Sequence, residues 1–252
     1  MISALALDGL PEIQPGTDLG SLIVEALTAM GTEPLRHGDV VAVAHKVVSK
    51  AEGRVRNLSE VEPSSRAREL AAMGGRDPRH VQVVLDESRE IVRTAPGVIV
   101  CETHHGFICA NAGVDQSNVP GEDIVLMLPL DPDASARAIR TRIRELTGVA
   151  PGVLISDSFG RAWRTGQADV AIGLAGVTPL EDWRGQQDVN GREMQATVIA
   201  AADLLAGLAD LARRKNAAEP VVLIRGADRY VTPEDGSGVA PLLRERSLDL
   251  FR

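Results

Sequence analysis

Short apolar segments that end abruptly at polar residues constrain the fold of this chain more than any other feature of its sequence. Residues 39–49 (DVVAVAHKVVS), 153–158 (VLISDS) and 220–226 (PVVLIRG) are rich in β-branched residues, and each predicts a buried strand. Residues 97–114 predict two strands joined by a turn, and residues 123–130 predict another. A chain with this many short strands must build a sheet.

Helical segments lie between these strands. Thr17 and Pro78 mark two helix starts, and Gly148 marks a helix end. Because helices and strands do not alternate strictly, the sequence predicts an α+β (mixed α/β) fold and not a Rossmann fold. We expect a large mixed β-sheet with flanking helices. The predicted helices cover residues 17–30, 133–146, 196–215 and two segments within 63–94.

The composition fits one globular domain, residues 1–252, whose core is built from Ala, Val, Leu and Ile. Aromatic residues are scarce (two Trp, one Tyr and three Phe), and the formal net charge is −8. An acidic chain with few aromatic side chains is poorly suited to bind a nucleic-acid backbone, stacked bases or an anionic membrane. We therefore expect neither nucleic acid nor membrane as a partner.

Cys101 and Cys109 both lie in an apolar stretch, which predicts reduced core residues and not a disulfide. The amino-terminal segment MISALALDGL lacks the pattern of a signal peptide, and no run of about 18 apolar residues predicts a transmembrane helix. We expect a cytoplasmic protein.

Acidic, hydroxyl and guanidinium groups follow directly after one predicted buried strand. Asp157 and Ser158 offer hard oxygen ligands for a cation. Arg161 and Arg164 are three residues apart, so they face one side if the segment turns helically, and they then form a clamp for a transferring phosphoryl group. The alternative is that both arginines pair with surface carboxylates such as Asp169.

Two further polar clusters interrupt apolar strands. Asp115, Ser117 and Asn118 bring carboxylate and amide oxygens onto one loop, which suits Mg²⁺ or Mn²⁺ or, alternatively, an Asx-turn. Lys50 is suited to contact a phosphate, although taken alone this cluster is better explained as a solvated strand end. No Walker-type sequence and no GxGxxG after a strand is present, so a nucleotide site would use another framework.

Six motifs occur in a fixed order: LPEI, HKVVSK, ETHHGFICANAGVDQSNV, SDSFGRAWRTGQADVAIG, DVNGRE and PVVLIRG. Together they resemble the gamma-glutamyl ligase family of the deazaflavin coenzyme F420 over nearly the whole chain. The resemblance implies a family-specific mixed α/β fold that is not ATP-grasp. It also implies a homodimer, in a stand-alone form without the nitroreductase-like domain that some members carry.

The resemblance implies roles for individual residues. The metal ligands would be Asp115, Asp157 and Ser158. The catalytic cations would be Lys50, Arg161 and Arg164. The guanine-nucleotide contacts would be Leu10, Pro11, Glu12, Ile13, His45, Lys50, Asn118, Lys215 and Asn216, although Arg214 stands where the family frequently has glycine.

The implied reaction adds L-glutamate to the deazaflavin coenzyme precursor. GTP is the co-substrate, with one or two Mg²⁺ or Mn²⁺ ions and a monovalent cation such as K⁺. The acceptor carboxylate becomes an acyl phosphate, and the glutamate amine displaces phosphate; Glu102, His104 and His105 are candidates for the base. The alternatives are a metal-dependent phosphohydrolase, a binding protein without turnover, and the same ligase chemistry on another acceptor.

Overall fold

The computed structural model describes residues 1–117, 121 and 123–251. None of the helices within these ranges is long and apolar enough to cross a membrane. The helices are α1 (Leu19–Ala29), α2 (His45–Ala51), α3 (Ser65–Gly74), α4 (Pro78–Asp86), α5 (Pro132–Thr147) and α6 (Ala201–Ala212).

The strands form one central sheet and three smaller ones. The central sheet has the order β1-β12-β2-β8-β9, in which β2 and β8 are parallel and every other neighbouring pair is antiparallel. This confirms the mixed fold predicted from the sequence. The strands are β1 (Ser3–Leu7), β2 (Val40–Ala44), β3 (Val55–Asn57), β4 (Ser88–Ala95), β5 (Val98–Thr103), β6 (Ile108–Ala110), β7 (Ile124–Leu126), β8 (Gly152–Arg161), β9 (Arg164–Ala175), β10 (Glu181–Asp182), β11 (Val198–Ile199) and β12 (Val221–Arg225).

Two hydrophobic clusters fill the interior. The larger one lies on the central sheet, against which α5 and α6 pack, while α1 packs on α5. The smaller one lies between α3, α4 and the sheets β3-β7 and β4-β5-β6. Contacts of β6 with β8 and of α2 with β7 join the two parts. The division of the chain into domains therefore stays a prediction.

Capping residues explain where two helices begin. Asp131 accepts a hydrogen bond from Ala134 N at 2.9 Å, and Pro132 occupies the first turn of α5, which ends at Gly148 with φ 76°. In the same way, the Asp77 side chain caps α4 ahead of Pro78. The helix signals at Pro78 and Gly148 are confirmed.

Several predicted boundaries were wrong. The helix predicted over 196–215 begins only at Ala201, because Val198–Ile199 pairs as strand β11. The strand predicted over 39–49 ends at Ala44, and the chain continues as helix α2. The second helix predicted within 63–94 ends at Asp86, because the β-branched stretch that follows pairs as β4 with β5. Helix α1 is capped by Asp18, one residue after Thr17.

The two cysteines are free and buried, as predicted. They face each other as partners on β5 and β6. Burial raises the pKa of both thiols, that of Cys109 to about 12, so both cysteines behave as small apolar core residues.

Candidate functional site

A cavity of about 550 Å³ opens where strand β2 ends, alongside the middle of the longer strand β8. The last parallel pair between these strands is Ala44 with Ser156. Beyond this pair β2 gives way to helix α2 while β8 continues beside β9, so residues of α2 and of β8 face a common space. The cavity is lined by residues 10–13, 44–47, Lys50, 156–158, Asp169 and 213–220.

His45 and Asp157 meet just beyond that last pair. His45 is only 2% exposed, and its Nε2 lies 3.2 Å from Asp157 Oδ1. The other ring nitrogen lies 3.3 Å from Ser49 Oγ, and Ser158 N donates to Asp157 Oδ1 at 2.7 Å. The Asp157 carboxylate is therefore held in one orientation at the cavity wall.

Ser158 belongs to a buried polar network centred on Asp169. Asp169 lies directly opposite Ser158 in the β8–β9 ladder and is 4% exposed. It accepts hydrogen bonds from Ser158 Oγ at 2.6 Å, Ser156 Oγ at 2.8 Å and Arg213 Nη2 at 2.8 Å. Lys215 Nζ donates to Ser158 Oγ at 3.1 Å. Strand and loop residues are thus locked together at the base of the cavity.

The cavity is also lined by the segment 10–13 and by Lys50. Lys50 Nζ lies 2.5 Å from Glu12 Oε1, which ties this segment to α2. Asn216 lies on the loop that follows α6 and also lines the cavity. Eight of the residues assigned to nucleotide binding or catalysis from the sequence therefore line one cavity: Leu10, Pro11, Glu12, Ile13, His45, Lys50, Lys215 and Asn216. The metal candidates Asp157 and Ser158 line it as well.

Asp115 lies next to the cavity and does not line it. Its Oδ2 is 2.6 Å from Lys46 Nζ, and Ser117 N donates to its Oδ1 at 2.7 Å. Burial opposes ionisation of the Asp115 carboxyl, but the hydrogen bonds from Lys46 and Ser117 outweigh it and lower the pKa. Lys46 itself lines the cavity, so its ion pair connects Asp115 to the site. Asn118 lies outside the described residues.

Arg161 and Arg164 lie at the tip of the β8–β9 hairpin. The expectation of a helical turn was wrong: the two arginines are paired across the ladder, and Trp163 completes the turn with φ 60°. Both are exposed, neither lines the cavity, and no acidic side chain among the described residues forms an ion pair with either. Asp169 was wrongly expected to be a surface partner, since it is buried and pairs with Arg213.

Comparison with known proteins gives a consistent result. The model of the family "F420-0:Gamma-glutamyl ligase" matches residues 9–226. The chain is 44% identical over 252 residues to the coenzyme F420:L-glutamate ligase of Methanothermobacter thermautotrophicus, covering 100% of this chain and 99% of that protein. The enzymes of the same name from Methanopyrus kandleri and Haloarcula marismortui are 46% and 43% identical over 243 and 258 residues. They cover 96% and 100% of this chain and 94% and 96% of their own lengths.

The chain belongs to the F420-0:gamma-glutamyl ligase family. The resemblance inferred from the six motifs is thereby confirmed. The match to the gamma-glutamyl ligase family begins just before the segment 10–13 and ends just after β12, so it encloses every segment that lines the cavity.

The donor set at the cavity suits a hard divalent cation. Asp157 and Ser158 present a carboxylate and a hydroxyl, and Asp115 supplies a further carboxylate nearby. Among the described residues, no group of three His, Cys, Asp or Glu side chains forms a complete metal cage. Mg²⁺ commonly takes one or two carboxylates and completes its shell with water and phosphate oxygens, so the residues present fit such an ion.

The three base candidates lie away from the cavity of this gamma-glutamyl ligase fold. Glu102 Oε1 accepts from Arg89 at 2.9 Å, His104 Nε2 lies 3.0 Å from Asp86 O, and His105 Nε2 lies 2.8 Å from Pro129 O. None of these three side chains lines the cavity. Because all three side chains are hydrogen-bonded outside the cavity, their positions argue against a role as the base that deprotonates the glutamate amine.

Two residues important to the site were missed by sequence reasoning. Asp169 was taken for a surface residue, although a single acid inside the apolar segment DVAIGLA was a signal of a buried partner. Nothing in the sequence marked Arg213 as buried, because an arginine at the end of a helix is usually exposed to solvent. Arg214, where the family frequently has glycine, pairs with Glu219 and closes the loop between α6 and β12.

Proposed function

We propose that this protein attaches L-glutamate to the deazaflavin coenzyme F420 precursor, with GTP as the energy source. The proposal applies to this chain the activity in the names of its relatives, which it matches over almost their whole length. The single observation that supports it best is the convergence of Asp157, Ser158, Lys50 and Lys215 in one cavity.

The proposal places the nucleotide between the segment 10–13 and the loop after α6. Lys50 on α2 and Lys215 on the loop after α6 both line this space, and Asn216 offers an amide. Two ammonium groups from separate segments suit a polyanionic triphosphate. Glu12 holds Lys50 at 2.5 Å, so an incoming phosphate would compete with Glu12 for this ammonium group.

Asp157 and Ser158, with Asp115, would hold one or two Mg²⁺ or Mn²⁺ ions, and a monovalent cation such as K⁺ belongs to the same proposal. A bound divalent ion neutralises charge that develops on the γ-phosphoryl group. His45 contributes by holding the Asp157 carboxylate at 3.2 Å.

The proposed chemistry has two steps. An acceptor carboxylate oxygen attacks the γ-phosphorus, the bond to the bridging oxygen breaks, and GDP leaves. The glutamate amine then attacks the acyl carbon, inorganic phosphate leaves and the nitrogen loses a proton, which forms an amide and, for a second glutamate, a gamma-glutamyl bond. Phosphate is a better leaving group than the oxide or hydroxide that an unactivated carboxylate would have to expel. The carboxylate must therefore be phosphorylated before the amine attacks.

Lys50 is proposed to stabilise negative charge on the transferring group. Arg161 and Arg164 are proposed to do so from the hairpin tip. Arg161 lies three residue steps along the extended strand from Ser158, a distance of roughly 10 Å, so this role requires the hairpin to bend toward the cavity.

The proposal includes a homodimer. Leu204 and Leu211 on α6 are exposed, as is Leu5 on the edge strand β1, against which α6 packs. This apolar surface is suited to be covered by a second copy. Light scattering coupled to size-exclusion chromatography would give the mass of two chains, and that of one chain would contradict this part.

The test is a mass-spectrometric assay of the glutamate-free coenzyme, F420-0, mixed with L-glutamate, GTP, MnCl₂ and protein. We expect products heavier by glutamyl units, with GDP released in proportion. They should be absent with Asp157→Ala and present with Asp86→Ala, a control on α4 outside the cavity. GDP without a heavier product would indicate a phosphohydrolase or another acceptor. Nucleotide binding without turnover would indicate a binding protein.

A further inference from the structure

Asp169 lies in the base of the cavity with no role assigned to it by the resemblance. It is buried and occupies the position opposite Ser158 in the ladder, so both side chains project from the same face of the hairpin. Its two oxygens accept four hydrogen-bond or ion-pair contacts, from Ser156, Ser158, Arg213 and, at 3.7 Å, Lys215.

These contacts fix the direction of one proton. A carboxylate only accepts hydrogen bonds, so the Ser158 hydroxyl must donate its single proton to Asp169 Oδ1, at 2.6 Å. A hydroxyl oxygen has two lone pairs, and Lys215 Nζ, at 3.1 Å, occupies one of them. The remaining lone pair is left for a ligand in the cavity that Ser158 lines.

We infer that Asp169 is a positioning residue, which turns the Ser158 hydroxyl so that its oxygen, and not its proton, is offered to a divalent cation. This inference rests on the proposed function, because it assumes that Ser158 contacts the cation. Outer carboxylates that orient a ligand commonly change metal affinity by about 10–100-fold when they are removed. Arg213 has the separate role of balancing the Asp169 charge in the buried site.

Ser156 provides a matched control. Its hydroxyl also donates to Asp169, at 2.8 Å, and also receives a hydrogen bond from Arg213, at 2.9 Å. It is 1% exposed, whereas Ser158 is partly accessible. A purely structural role of Asp169 would make the two serines equivalent, and a positioning role makes only Ser158 matter for cation binding.

The experiment measures Mn²⁺ affinity by titration calorimetry and by electron paramagnetic resonance, in the presence of a non-hydrolysable GTP analogue. Asp169→Asn and Ser158→Ala should each weaken Mn²⁺ binding about 10–100-fold, and the double variant should be no weaker than Ser158→Ala alone. Ser156→Ala should stay within about twofold of the wild type. Equal losses from the two serine variants, or additive losses in the double variant, would overturn the inference.

A further variant guards against misfolding. Asp169→Asn leaves Arg213 buried without its carboxylate, whereas Asp169→Asn with Arg213→Met removes both charges. This double variant should fold as judged by circular dichroism and should still bind Mn²⁺ about tenfold or more weakly than the wild type.

Wild-type affinity in this double variant would make Asp169 a structural partner of Arg213 only. Loss of one Mn²⁺ from the stoichiometry, with Ser158→Ala unaffected, would make Asp169 a direct ligand. A wild type that binds no Mn²⁺ would instead contradict the proposed function.

Discussion

Strand pair β8–β9 carries two groups of charged residues in very different surroundings. At the cavity, Asp169 and Arg213 are buried and joined to Ser156 and Ser158 by hydrogen bonds of 2.6 to 2.9 Å. At the hairpin tip, Arg161 and its partner across the ladder are exposed, and the hydrogen bond that Arg161 makes is to Thr165 O at 3.3 Å. The same ladder thus contains one rigid network and one open cationic tip.

In the sequence, the candidate cation ligands Asp157 and Ser158 and the arginines Arg161 and Arg164 looked like one cluster, but the structure separates them. Groups in a buried, fully hydrogen-bonded network keep one geometry, which suits cation and phosphate binding. Exposed guanidinium groups without carboxylate partners are free to meet a mobile anion. We therefore expect the cavity to bind the cation and the nucleotide, and the tip to contact only the phosphoryl group during its transfer.

The largest expected effect is on stability and contrasts Arg213 with Arg161. Arg213→Met would leave the Asp169 carboxylate buried without its guanidinium, and we expect the free energy of unfolding to fall by about 3 kcal/mol. Arg161→Met should change it by no more than about 0.5 kcal/mol, because that side chain is exposed. Urea denaturation of both variants measures the contrast, and similar losses would remove the distinction between network and tip.

A smaller effect is expected on nucleotide affinity. Lys50→Met removes an ammonium group from the cavity wall and should raise the Kd for GTP about tenfold, the worth of one charge-assisted hydrogen bond. The matched variant Arg164→Met should leave the Kd for GTP within about twofold. Fluorescence titration with a labelled GTP analogue tests this, and equal weakening would place the tip at the nucleotide.

The pair of Lys46 and Asp115 predicts a pH effect. Hydrogen bonds lower the pKa of the folded Asp115 carboxyl below its value in the unfolded chain. This contribution is therefore fully present above the unfolded pKa, about 4, and is lost as the pH falls through the lowered folded value. The stability difference between wild type and Lys46→Met should shrink below about pH 4; a difference independent of pH down to 2 would contradict the ion pair.

The smallest effect concerns the two like charges at the tip. Arg161 and Arg164 are partners in the ladder, and like charges placed opposite each other are destabilising by a few tenths of a kcal/mol. Arg164→Thr should therefore raise the free energy of unfolding by about 0.3 kcal/mol. Denaturation at low and high salt would check it, since the gain should decrease as salt screens the repulsion. A loss of stability would indicate that Arg164 is held by a contact.

Sequence reasoning located part of the cavity from polar residues at the ends of predicted strands and the rest from motifs. Asp157 and Ser158 were identified from a buried strand ending in polar residues, and the segment 10–13 from a motif. Segment 45–51 was misjudged because the pattern HKVVSKA fits a strand by its β-branched residues and a helix by its amphipathic spacing. Tertiary packing, which local patterns do not show, selects the helix. Burial of Asp169 depends on Arg213, which lies 44 residues away, and local patterns carry no information on such pairing.

The most direct test of the account is the position of a bound cation. Crystals grown with MnCl₂ and a non-hydrolysable GTP analogue would give an anomalous difference map that locates Mn²⁺ without a model of its ligands. We expect a peak about 2.0–2.5 Å from an Asp157 carboxylate oxygen and Ser158 Oγ, with Asp169 still hydrogen-bonded to Ser158. A peak elsewhere, with nucleotide phosphates outside the cavity between residues 10–13 and the loop at 213–220, would contradict it.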